Sequence, residues 1–117
     1  MQNKEQPIFL HISQLAPITT SHGLGVKRVL ATEENVGAGV TQIAKTVLRA
    51  GEKVEAHTHP TMVEHFFFLS GDCEVIVDNN CYQCIGGDYL FIPAGFYHSI
   101  SVSEETLMIT IGIKTEQ

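Results

Sequence analysis

The chain has 117 residues, enough for one domain with one core and too few for two. Its hydrophobic share of 44 % suits a globular protein, and no apolar run reaches membrane-spanning length, so no membrane partner is expected. Thirteen acidic side chains stand against seven basic ones, which are scattered, and this argues against a nucleic-acid partner. The opening Met-Gln-Asn-Lys-Glu-Gln is polar and lacks the apolar core of a signal peptide, which makes the cytoplasm the default location.

Residues 1–25 read as an arm that packs on a single domain spanning 26–117. The arm holds one short apolar stretch at 8–12, and Gly23 and Gly25 lead into the domain. From there the chain is punctuated by Gly and Pro, with runs rich in Val, Ile, Phe and Thr between the marks. These runs fall at 26–30, 40–48, 54–58, 63–69, 73–77, 82–85, 89–92, 97–102 and 107–113. Asp78-Asn79-Asn80 reads as a hairpin turn, because Asn tolerates positive φ, and Ser70-Gly71 and Gly86-Gly87 read as turns too. In the last run Leu107, Ile109, Ile111 and Ile113 alternate with Met108, Thr110 and Gly112, a period of two that predicts a strand with one buried face. No segment keeps helical spacing for three turns. Many short strands at regular intervals predict an all-β sandwich or barrel.

Cys73, Cys81 and Cys84 are an odd set for a disulfide framework. Cys81 and Cys84 form a C-x-x-C, but residues three apart on a strand face opposite sides. The three cysteines therefore read as small buried apolar residues.

The chemistry concentrates elsewhere. His57 and His59 lie two apart, so on a strand both imidazoles project from one side. Glu64 follows a turn opened by Pro60, and an adjacent antiparallel strand would bring its carboxylate beside them. His98 comes after Pro93-Ala94-Gly95, a rigid turn that can aim it. Three neutral imidazoles with one carboxylate suit one divalent transition metal: Fe, Mn, Ni, Co, Cu or Zn. Calcium and magnesium want more oxygen ligands.

The stretch Gly51-x5-His57-x-His59-x4-Glu64-x6-Gly71 resembles the first motif of the cupins, and Gly87-x5-Pro93-x-Gly95-x2-His98 resembles the second. The fifteen residues between them make a short inter-motif loop, similar to the smallest single-domain cupins. The resemblance implies a double-stranded β-helix, or jelly-roll barrel, with a metal in its mouth held by His57, His59, Glu64 and His98. The second motif departs from the family at its end, where Val102 replaces the usual Asn.

With Glu64 facing inward, Phe66 and Phe68 share its side and are candidate pocket residues. In the strand at 40–48 the register of small cupins turns Gln42, Ala44 and Thr46 inward, making Gln42 and Thr46 candidate substrate contacts. Lys45 and Arg49 then point outward, and no Lys or Arg is placed in the wall, which disfavours a highly charged ligand. His65, Phe67 and Leu69 face out, and cupins of this size are commonly dimers, so the expectation is a homodimer using that face. The leading functional expectation is a dioxygenase-type metalloenzyme acting on a small, partly apolar organic molecule. A metal-assisted isomerase or lyase stands beside it, with Tyr89, Tyr97 and Glu64 as acid or base candidates. A non-catalytic ligand-binding barrel and a cupin with a structural metal complete the alternatives.

Overall fold

A computed structural model describes residues 9–10, 12–20, 22–36 and 39–115. A 3-10 turn at Ile12–Gln14 precedes eight strands among the described residues. These are β1 (Ile18–Thr19), β2 (Val26–Thr32), β3 (Val40–Leu48), β4 (Lys53–His57), β5 (Met62–Val77), β6 (Asn80–Ile85), β7 (Tyr89–Ile92) and β8 (His98–Lys114). One helical turn, α1 (Glu33–Val36), links β2 to β3. All pairings are antiparallel, in the order β1-β2-β3-β8-β5-β6, with β4 also on β8 and β7 also on β5.

The barrel is built on two long bent strands. The first half of β5 lies between β7 and the second half of β8, which in turn pairs with β3. The second half of β5 lies between β6 and the first half of β8, which pairs with β4. Two layers thus share β5 and β8, the first extended beyond β3 by β2 and β1, the jelly-roll arrangement. The sequence splits each of these strands into two runs, and the structure joins them.

Ser70-Gly71, expected to be a turn, is instead an irregularity inside β5, where the register with β8 shifts between Phe68 and Cys73. Phe66 and Phe68 are buried before it and Cys73, Val75 and Val77 after it, so the inward face changes from even to odd positions. An extra residue is the mark of a β-bulge, which bends the strand without ending its pairing. Gly71 sits at φ +109, and a Cβ there would lie 2.5 Å from the Glu105 carbonyl and from the Thr106 Cα. Only glycine lets the two bends cross so closely. The other two turns form as expected. Val77 pairs with Asn80 around Asp78, which has φ 53, and the Asp88 amide donates to the Ile85 carbonyl across Gly86-Gly87.

The inward face of β8 is also the reverse of what its hydrophobic pattern suggests. Thr106 and Met108 are buried inside, while Leu107, Ile109, Ile111 and Ile113 occupy the outer surface and stay half-exposed. Alternation reveals two faces; which one meets the interior depends on how the barrel closes.

One end of the barrel is densely packed. Phe68, Cys73 and Val75 have no accessible surface there, and Val102 joins the same cluster opposite Cys73. An apolar side chain at position 102 fits those surroundings. Cys73 and Cys84 are buried register partners, but Cys81 is exposed with its thiol donating to Glu74, so two of the three cysteines are core residues and not all three.

The segment expected to be an arm is partly woven in. Residues 1–8 lie outside the described residues. β1 pairs with the start of β2, and the Arg28 guanidinium donates to the Leu15 carbonyl. Between β1 and β2 the loop is closed by Gly23 N–H donating to the Thr20 carbonyl and by the Thr20 hydroxyl donating to the Leu24 carbonyl. No described helix is long and apolar enough to cross a membrane.

Candidate metal centre

Three histidines converge at the other end of the barrel. His57 ends β4 and His98 begins β8, and the two are register partners. His59 follows in the turn after β4. Ring centroids lie 4.3 Å apart for His57 and His98, 5.0 Å for His57 and His59, and 5.5 Å for His59 and His98. One nitrogen from each ring lies within 4.8 Å of the others, close enough to share one ion.

Glu64 reaches the cluster by a route the sequence did not suggest. β4 and β5 are not neighbours in the sheet, because β4 pairs with β8. Glu64 instead extends from the opposite layer, where it pairs with Ile92 and Gly112. Its Oε1 lies 3.1 Å from His98 Nε2 and 3.5 Å from His59 Nε2. The connection from β4 to β5 crosses between layers, so the carboxylate meets the imidazoles across the barrel mouth.

Backbone contacts hold this geometry. Gly95, at φ 85, donates its N–H to the His59 carbonyl at 3.0 Å, tying the two motif loops together. Asp78 accepts the Tyr97 N–H at 3.0 Å and returns its own N–H to the Tyr97 carbonyl, which pins the start of β8. His57 Nδ1 faces the Glu55 carbonyl at 2.8 Å, and His98 Nδ1 faces the Phe96 carbonyl at 3.2 Å. A carbonyl only accepts, so both Nδ1 atoms carry protons, and in the neutral rings both Nε2 atoms present a lone pair.

The consequence at His98 is specific. Its buried Nε2 and the buried Glu64 Oε1 face each other at 3.1 Å, yet neither makes an aligned hydrogen bond. Two acceptors at that distance repel unless a cation or proton joins them. The donor set fits a transition metal on this ground: neutral imidazoles fixed in one tautomer, with an ionised carboxylate beside them.

The electrostatics favour the ligand form of Glu64 and His57. Burial pushes the Glu64 carboxyl upward, but the His98 and His59 imidazoles, which in their protonated form donate to it and carry positive charge, outweigh burial and hold it below the ordinary value. Burial lowers His57, the Glu55 carbonyl opposes it, and the His98, His22 and His59 imidazoles, when protonated, add to the lowering. His22 is lowered in the same way, by burial first and then by His59.

A cavity of about 320 Å³ opens beside the cluster, at the small end of the range for ligand sites. Gln42, Thr46 and Phe66 line it together with the three histidines and Glu64. Phe68 does not; it is fully buried in the packed core, its ring 6.2 Å from that of Phe66. It shares Glu64's side of the strand but lies two residues deeper than Phe66, below the cavity floor. Tyr89 and Tyr97 are exposed and do not line the cavity, so they offer it no acid or base.

Two cavity residues with titratable side chains are absent from the sequence reading. His22, in the loop between β1 and β2, stands 4.2 Å from His57 by ring centroid. Only the neighbouring Gly23 and Gly25, which mark a tight loop, hint at its placement. Lys27, on β2, also lines the cavity, which corrects the expectation of a wall without cations. The strand pattern at 26–30 shows two faces but not which one is inside.

Residues 44–112 match the cupin domain family. The chain belongs to the cupins. A quercetin 2,3-dioxygenase of Bacillus subtilis is 33 % identical over 91 residues, covering 74 % of this chain and 27 % of that protein. The chain thus spans about a quarter of that relative's length. An uncharacterised protein of Methanocaldococcus jannaschii is 28 % identical over 88 residues, 74 % of this chain and 69 % of its own. The crystal structure of a predicted oxalate decarboxylase from Thermotoga maritima superposes with a TM-score of 0.82 at 20 % identity, covering 92 % of this chain and 99 % of its own. The shared structure is the cupin jelly roll.

Proposed function

We propose that His57, His59, His98 and Glu64 bind one divalent transition metal, and that the adjoining cavity is the site of a dioxygenase-type reaction on a small, partly apolar organic molecule. The observation that carries the metal assignment is the buried, unbridged pair of acceptors, Glu64 Oε1 and His98 Nε2. A metal held there supplies Lewis acidity and, when redox-active, a means of using dioxygen. The chain's own residues do the rest. Phe66, Leu48 and Met108 keep water from the cavity wall, while Gln42 and Thr46 offer polar contacts that orient a ligand. The dioxygenase version draws support from the quercetin 2,3-dioxygenase relative.

The test is metal analysis of purified protein, followed by dioxygen uptake with iron- or manganese-loaded protein and a panel of enols and catechols. Stoichiometric metal and substrate-dependent uptake are expected. Protein that takes up no transition metal refutes the assignment; metal without uptake leaves the second reading. That reading is a metal-assisted isomerase or lyase, and it rests on His22, an imidazole at the cavity beyond the three-histidine group and suited to moving a proton. A barrel that binds a small ligand without turning it over is the outcome if neither reaction is found.

The chain also pairs with a second copy, in our proposal, through the outer face carrying His65, Phe67 and Leu69. Phe67 sits between Tyr89 and Ile109, and His65 between Phe91 and Ile111, in register across three strands. Phe67 and Phe91 are 45 % and 44 % exposed, and Tyr89 is 57 % exposed with its hydroxyl at 2.6 Å from His65 Nδ1. A contiguous apolar face of this kind marks an interface. Light scattering is expected to give twice the chain mass, and Phe67→Asp to halve it; a parent that is already monomeric refutes the pairing.

A further inference from the structure

Lys27 stands at Cα register with Thr46, and partners directly opposite on antiparallel strands project to one side, here the interior. Its ammonium donates to Gln42 Oε1 at 2.9 Å, and Gln42 is on the same inward face of β3 as Thr46. An ammonium has three donors, and a neutral amide takes only one of them. Among the described residues no carboxylate lies within ion-pair distance of Lys27, whereas Lys114 has Glu33 at 3.0 Å. This is a half-buried cation in an otherwise acidic chain, steadied by an amide that leaves its charge uncompensated.

The charge count of the whole cavity points the same way. A divalent ion, the Glu64 carboxylate and the Lys27 ammonium together leave a net charge of about +2 on the site. A neutral guest leaves that charge uncancelled in a wall that is otherwise largely apolar. A guest with one anionic oxygen for the metal end and one carboxylate for the ammonium cancels it.

We propose that the cavity selects a small organic acid, its carboxylate held by the Lys27 ammonium, which Gln42 positions, and its other end directed to the histidine cluster. This assignment of substrate class rests on the metal reading above. It adds to it an anionic anchor on β2, a strand outside the stretch that supplies His57, His59, Glu64 and His98.

The test uses calorimetry with malonate, succinate and glutarate, each against its monomethyl ester, on manganese-loaded and metal-free protein. At least one diacid is expected to bind the loaded parent at least tenfold more tightly than its ester. Lys27→Met is expected to erase that ratio while manganese affinity stays unchanged, and Lys27→Arg, which keeps the charge, to retain most of it. Lys27→Gln serves if the methionine variant does not fold. A ratio that survives loss of the charge, or a parent that never prefers a diacid, overturns the proposal. If the parent takes up neither manganese nor any other divalent transition metal, the metal reading falls by itself. The metal-free titrations then decide Lys27: diacid binding that weakens tenfold in Lys27→Met upholds the anchor, and equal or absent binding overturns it.

Discussion

The two ends of the barrel are made by the same two strands and have opposite character. At the closed end β5 contributes Phe68, Cys73 and Val75, none with accessible surface, and β8 contributes Val102. At the open end β5 contributes Glu64 and Phe66, and β8 contributes His98, around a cavity of about 320 Å³. The closed end holds side chains that need only be apolar and fit. The open end holds two buried acceptors aimed at one another and an ammonium whose bonded partner is a neutral amide, an arrangement that costs stability unless a ligand joins it. Stability resides in one end and chemistry in the other, and the bulge at Gly71 falls within the packed end, between Phe68 and Cys73.

The largest expected effect tests the closed end. Phe68→Ala should cost about 3–5 kcal/mol in urea unfolding, as for other fully buried phenylalanines, while the folded fraction keeps its metal affinity. Phe66→Ala should cost less, because that ring already borders empty space. Equal losses at the two positions would erase the contrast.

The next effect belongs to the open end. His98→Ala should weaken metal binding at least about 100-fold, equivalent to about 2.7 kcal/mol. Stability of the metal-free protein should fall by no more than about 1 kcal/mol. Competition with a chelating dye measures the first quantity and urea unfolding the second. A variant that binds metal like the parent would remove His98 from the site.

The smallest effect is a pH dependence. His57 and His22 are held below the ordinary value of 6.5, so the unfolded chain takes up protons before the folded one does. Stability of the metal-free protein should therefore decline as pH falls through 6.5 towards the lowered folded values. Glu64, held below 4.5, stays ionised through that window, and its own contribution is lost only at lower pH. Metal affinity should decline over the same range, since protons compete for the imidazoles. Urea unfolding at about pH 7.5 and about pH 5.5 checks this, and a flat profile counts against neutral, desolvated rings.

Local pattern alone revealed much of the molecule. The period-two runs and the Asp78-Asn79 hairpin were legible because strand alternation and turn chemistry act over a few residues, and the spacing from Gly51 to His98 was legible through its resemblance to the cupin motifs. Alternation predicts that His57 and His59 project together from one strand, whereas the chain carries His59 in the turn after β4. Phe66, and Gln42 and Thr46 from the resemblance to small cupins, are expected to face inward, and all three line the cavity. What lay beyond local pattern was closure. That Ser70-Gly71 bends a strand without ending it, that Glu64 arrives from the opposite layer, and that the Ile109 and Ile111 face is outside all follow from pairings between distant residues.

His22 and Lys27 show the same division. Nothing local separates an inward lysine from a solvated one, and the choice was made by the register of β2 on β3, which sets Lys27 against Thr46. The sequence by itself determined which side chains have the chemistry to be ligands. The tertiary structure decided which of them meet, because two faces of a strand are chemically distinguishable in the chain but become inside and outside only when the sheet curls shut.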